Sequence, residues 1–157
     1  MIGRRQFALH SVSAAAAAAF GSSAYSADAD RPAADKHSHE GDVFSSCAKA
    51  CSDCQRACDS CSTHCAKLLL QGEKEHAATL ATCLDCSNFC AAASQIVART
   101  GPFAALICES CATACDHCAK ACEKFPDDEH MKACAEECRR CEKACKAMLP
   151  HIGHAAG

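Results

Sequence analysis

Cysteine recurs at Cys47, Cys51, Cys54, Cys58, Cys61 and Cys65, at intervals of 4, 3, 4, 3 and 4 residues. The alternation averages 3.5 residues, which is the seam of a helix packed in a bundle. A coiled coil would hold Leu or Ile at those positions. Here every seam position over nearly three heptads is a thiol. The device returns three times: at Cys83, Cys86 and Cys90; at Cys108, Cys111, Cys115, Cys118 and Cys122; and at Cys134, Cys138, Cys141 and Cys145. The pattern predicts an all-α chain, an antiparallel up-down-up-down four-helix bundle with a cysteine-lined core.

Eighteen cysteines in 157 residues would usually mean a disulfide scaffold in a short secreted protein. The spacing argues against it. Eight pairs have the form C-x-x-x-C, from Cys47/Cys51 to Cys141/Cys145. On a helix such residues have Cβ atoms about 5–6 Å apart, whereas a disulfide wants about 3.5–4.5 Å. Disulfides between helices stay open, but the 3/4 spacing commits every Cys to one interior face. The C-x-x-C pairs, such as Cys51/Cys54 and Cys115/Cys118, fall in mid-helix as a by-product of the heptad. Redox and zinc-ribbon motifs use that spacing at turns or helix starts. The C-x₂-C-x₂-C-x₃-C-P run of a bacterial ferredoxin is absent. Aromatic residues make up only 4% of the chain, with no Trp, so the thiols must supply much of the core themselves.

Charge narrows what such a core would hold. Uncompensated buried thiolates are very costly. Zinc takes four donors. About four zinc ions would bring +8 and leave eighteen thiolates at −10. One Cu(I) per thiolate gives a neutral core, and soft thiolate and thioether donors favour Cu(I). The expectation is many Cu(I) ions, on the order of one per cysteine, bound without catalysis. Zinc or general soft-metal sequestration is the alternative. The chain carries a net charge of −3, without a basic patch or stacking aromatics, which excludes a nucleic-acid partner.

Residues 1–27 read as an export signal. Arg4 and Arg5 precede an Ala-rich run from Gln6 to Ala27 free of Asp, Glu, Lys and Arg, in the manner of a twin-arginine leader. The expectation is therefore a periplasmic or otherwise exported protein whose mature chain has no membrane span. Residues 28–42 read as a polar linker containing His37 and His39. The bundle is expected over 43–149 and a tail over 150–157. Helix one should run from about Asp42, as N-cap, to Gln71, with Gly72 as its stop. Helix two should span about Glu73–Arg99, with a seam of His76, Thr79, Cys83, Cys86, Cys90, Ala93 and Val97. Leu80, Phe89 and Ile96 should pack beside it. Helix three should begin at Pro102 and end before Pro126. Helix four should start near Asp127 and stop at Pro150, with Met131 and Met148 at the two ends of its seam.

Short connections make sequential helices antiparallel neighbours. That topology brings His64, His76, His130 and Met131 to one mouth. His76, Met131 and His64 are the candidate metal ligands there, beside the eighteen cysteines. Met148, His151 and His154 mark the other end, and His117 lies off the seam.

The residues then resemble the bacterial copper storage proteins over roughly 43–149. The marks are the repeated C-x-x-x-C pairs, Thr63-His64-Cys65, and Cys122-Glu123-Lys124-Phe125-Pro126. The leader is similar to that of the family's exported branch. The resemblance implies a homotetramer, Cu(I) bound by thiolate pairs inside the bundle, and His or Met at an open mouth. It also implies copper donor or acceptor proteins as partners.

Overall fold

The computed structural model describes residues 38–154, with side chains described from Val43 to Ile152. The leader, most of the polar linker and the end of the tail lie outside the described residues. So do the side chains of His37, His39 and His154.

Four helices follow one another: α1 Ser38–Leu70, α2 His76–Ala98, α3 Ala104–Cys122 and α4 Glu129–Met148. A 3-10 helix, Leu149–His154, follows α4 directly. The helices pack in a ring, α1 against α2 and α4, and α3 against α2 and α4. This is the expected antiparallel four-helix bundle. Among the described residues no helix is long and apolar enough to cross a membrane.

Two of the three connections close with the same device. At the end of α1, the Glu73 amide donates to the Leu68 carbonyl and the Gly72 amide to the Leu69 carbonyl, at 3.1 and 3.0 Å. This is a Schellman cap, and Gly72 takes its left-handed position at φ +98°. At the end of α2, Gly101 donates to Ile96 and Thr100 to Val97 in the same pattern. There the left-handed position is held by Thr100, at φ +50°, although the neighbouring Gly101 would carry it without a Cβ penalty. The third connection ends in an N-cap. Asp128 Oδ1 accepts the amides of His130 and Met131.

Four boundaries differ from the sequence expectation, among them the start of α2, which falls at His76 and leaves Glu73 in the turn. α1 begins at Ser38, so Asp42 lies inside the helix instead of capping it. The apolar seam begins at Phe44 and gives no sign of the extra turn. Pro102 lies in the turn before α3, which starts at Ala104 after a Gly101–Ala104 turn. The segment expected as a tail forms the 3-10 helix, and Leu149 and Ile152 pack against the core.

The core is the sulfur column. All eighteen cysteines are free and buried, none more than 1% exposed. Of the other residues expected on the seams, Phe44, His76, Thr79, Ala93, Val97, Met131 and Met148 are buried with them, whereas Leu68 and Phe125, expected to extend the seams of the first and third helices, are only partly buried. Phe89 departs from expectation. It is 40% exposed, in a surface groove with Ala114 and His117, because it faces away from the thiols.

Candidate metal centre

A period of 3.5 over four antiparallel helices stacks the thiols in layers, and the layers are what could hold ions. Sulfurs of different helices approach to contact distance. Cys51 lies 3.6 Å from Cys145 and 3.7 Å from Cys141. Cys83 lies 3.6 Å from Cys118, and Cys90 lies 3.6 Å from Cys111. Cys54 is 3.8 Å from Cys115 and 3.7 Å from Cys138.

Four-thiol groups run along the column, with all four sulfurs within 4.8 Å of one another. In the group Cys51, Cys111, Cys141 and Cys145, the C-x-x-x-C pair is Cys141/Cys145. The groups Cys54/Cys86/Cys90/Cys115, Cys54/Cys58/Cys86/Cys138 and Cys58/Cys118/Cys134/Cys138 are built alike. Each joins one such pair to single thiols from two other helices. Toward the mouth, Cys61, Cys83, Cys122 and Cys134 form a group with one thiol from each helix. Sequence spacing marks the pairs, but not the thiols from other helices that complete each group. Those depend on the relative height of the helices, which the short connections set.

The thiols perturb one another. Burial, reinforced by the neighbouring Cys61, pushes the Cys65 thiol up to about 12. Deeper in the column, hydrogen bonds from Cys118 and other thiols also push the Cys138 thiol up. A site of this kind takes up metal by exchanging thiol protons for ions.

One end of the column is plugged. Phe44, Val97, Ala104 and Met148 are buried there, with Leu149 and Ile152 against them. The other end is the expected mouth, and the structure brings its residues together. Met131 is fully buried, with Sδ 3.5 Å from Cys61 Sγ. His64 Nε2 donates to Asp128 Oδ2 at 2.8 Å, and its ring stacks on that of His130 at 4.6 Å. His130 Nε2 is 3.3 Å from Ser60 Oγ. His76 is buried and stacks on Phe125 at 4.1 Å. At this end lies a surface groove of about 660 Å³, lined in part by Leu68, Glu73, His76, Phe125 and Asp128. His117 is exposed, as its place off the seam requires.

Three features of the site escaped the sequence. Asp128 joins His64 to the start of α4. Glu73 stands 3.3 Å from His76 Nε2. Ser87 Oγ donates to Asp59 Oδ1 at 2.6 Å, a polar tie between α2 and α1 beside the column. Each pairs residues from separate stretches or from a turn, where helical periodicity carries no signal.

A family model described as copper storage protein matches residues 40–150. Among solved structures, a cytosolic copper storage protein from Streptomyces lividans, loaded with five coppers, is 26% identical with a TM-score of 0.66. The alignment covers 72% of this chain and 97% of that one. A Cu(I)-bound copper storage protein, BsCsp3, is 32% identical with a TM-score of 0.63, covering 68% of this chain and 98% of that one. A Nitrosospira multiformis protein is 28% identical with a TM-score of 0.60, over 69% of this chain and 96% of that one. No curated protein matches by sequence.

The comparison corrects the expectation of a periplasmic or exported protein. The Streptomyces lividans relative is a cytosolic one. A column of reduced thiols is at home in a reducing compartment, so the bundle is no mark of export. Arg4 and Arg5, on which that expectation rested, lie outside the described residues.

Proposed function

The chain belongs to the copper storage protein family, and from that premise we propose a high-capacity Cu(I) store whose ligands are the eighteen core cysteines. The observation that carries this reading is the continuous column of free, buried thiols in overlapping four-sulfur groups. Soft thiolates suit Cu(I), and a monovalent ion balances one thiolate each, so the column can fill without accumulating buried charge. His76, His64 and Met131 serve the mouth, passing ions between solvent and the first thiols. The function is storage without catalysis. Copper donor or acceptor proteins meet the chain at that end. The working assembly is a homotetramer, supported by exposed apolar residues on α2 and before and within α3, namely Leu84, Phe89, Phe103 and Leu106. Light scattering on the metal-free and loaded protein tests the assembly.

One observation favours zinc as a second reading. With Zn–S near 2.3 Å, tetrahedral ligands stand about 3.8 Å apart, close to the sulfur separations in the column. X-ray absorption at the copper edge separates the readings. Copper loaded in competition with equimolar zinc is expected to show sulfur scatterers almost alone, with zinc excluded. A shell dominated by nitrogen or oxygen, or zinc retained against copper, would overturn the storage of Cu(I) by thiolates.

A further inference from the structure

His76 Nδ1 is the one buried side-chain nitrogen or oxygen without a hydrogen-bond partner among the described residues. Buried polar groups are nearly always satisfied, so an orphan asks for a reason. Two neighbours touch the ring, one on a face and one by a carboxylate at ion-pair distance. Phe125 stacks on it with centroids 4.1 Å apart and planes 18° from parallel. The Glu73 carboxylate stands 3.3 Å from Nε2, the other ring nitrogen. Glu73 is half-exposed, while the His76 side chain is only 4% exposed. Nε2 is therefore the nitrogen at the acidic lip, and Nδ1 is the inner one. His76, Thr79 and Cys83 are successive buried positions of α2, so the orphan lies at the end of the thiol column.

We propose that Glu73 is a positioning residue for copper uptake, holding the proton of His76 on Nε2 so that the Nδ1 lone pair is free for an incoming Cu(I) ion. This rests on the storage reading and deepens it. A carboxylate on the far nitrogen of a ligating histidine fixes both tautomer and ring orientation. Imidazole nitrogen is a suitable ligand for copper between the hydrated exterior and the thiolates. Phe125 covers one face of the ring, which leaves the ring plane as the line of approach. The unsatisfied Nδ1 is tolerated because the ion completes it. Glu73 sits in the turn after the Gly72 cap, outside any helix, so its side chain can be changed without altering a helical segment.

The test uses the reduced, metal-free protein mixed rapidly with a Cu(I) chelate, and reads uptake rate and final capacity separately. Glu73→Ala is expected to slow uptake by about tenfold or more while capacity and helix content stay unchanged. Glu73→Gln is expected to load at close to the native rate, because its amide oxygen can accept Nε2–H in the carboxylate's place. Nitrogen NMR of His76 without copper supplies a second readout. The native protein and Glu73→Gln should show the Nε2–H form, and Glu73→Ala a mixture. Native-rate uptake by Glu73→Ala would overturn the proposal. Glu73→Gln as slow as Glu73→Ala would also overturn it, since charge alone would then be at work. So would an Nδ1–H tautomer in the native protein. If the protein took up no copper at all, the storage reading would fall, and the tautomer measurement would still decide the role of Glu73.

Discussion

Asp128 does three things with one carboxylate. Oδ1 accepts the amides of His130 and Met131 at 2.8 and 3.2 Å, and Oδ2 accepts from His64 at 2.8 Å. It fixes the start of α4, and with it Met131, the last buried side chain before the thiols. Asp128→Ala is expected to destabilise the metal-free protein by about 1 kcal/mol, read from urea unfolding, and Asp128→Asn by less. The effect depends on pH with a definite sign. Burial opposes ionisation of Asp128, but the bonds from His64, Met131 and His130 outweigh it and hold the carboxyl below its ordinary value. A depressed folded value means the ionic contribution is complete above the unfolded value, about 4. It is lost as pH falls through the folded value. The stability gap between wild type and Asp128→Ala should therefore narrow in strong acid and stay constant from about pH 5 upward. Residues of this kind were only half legible. Cys83, His76 and Met131 could be placed because they stand on a 3.5-residue seam. The partners of Asp128 and Glu73 could not, because a turn residue has no period to give its direction.

The helices owe their ends to two caps of the same form and unequal quality. Gly72 occupies the left-handed position after α1 with open space around it. Gly72→Ala would therefore meet no clash, only the backbone penalty of a left-handed L-residue, about 1–2 kcal/mol. Thr100 occupies the same position after α2, where a β-branched side chain is out of place. Thr100→Gly is expected to raise stability by about 1 kcal/mol, part of the relief being offset by the freer unfolded chain. Opposite shifts in the two melting temperatures would check both. Gly72 announced its cap in the sequence, as a glycine just past the last seam residue. The second cap was blurred, because Thr100, Gly101 and Pro102 each suit a turn and only the backbone bonds to Ile96 and Val97 assign their places. The start of α1 was missed for a simpler reason: the sequence of its first turn carries no apolar periodicity.

At the scale of the molecule, the column makes the metal part of the core. Thiols bury less apolar area than Leu, so the metal-free bundle lacks an ordinary core's stabilisation, and ions bound only by the folded form would supply the difference. Filling with Cu(I) is expected to raise the melting temperature progressively, and a strong Cu(I) chelator to reverse the rise. The bundle and its thiol lining were open to sequence reasoning because four stripes of one period can bury themselves in few ways. The groups of four were not, since they depend on how four helices line up in height. The most direct measurement is a Cu(I) titration of the reduced protein against a competing chelator, with zinc as the control. If the eighteen cysteines line one store, tight uptake breaks near one copper per cysteine, and zinc does not displace it. A break after one or two coppers, or a preference for about four zinc ions, would contradict it.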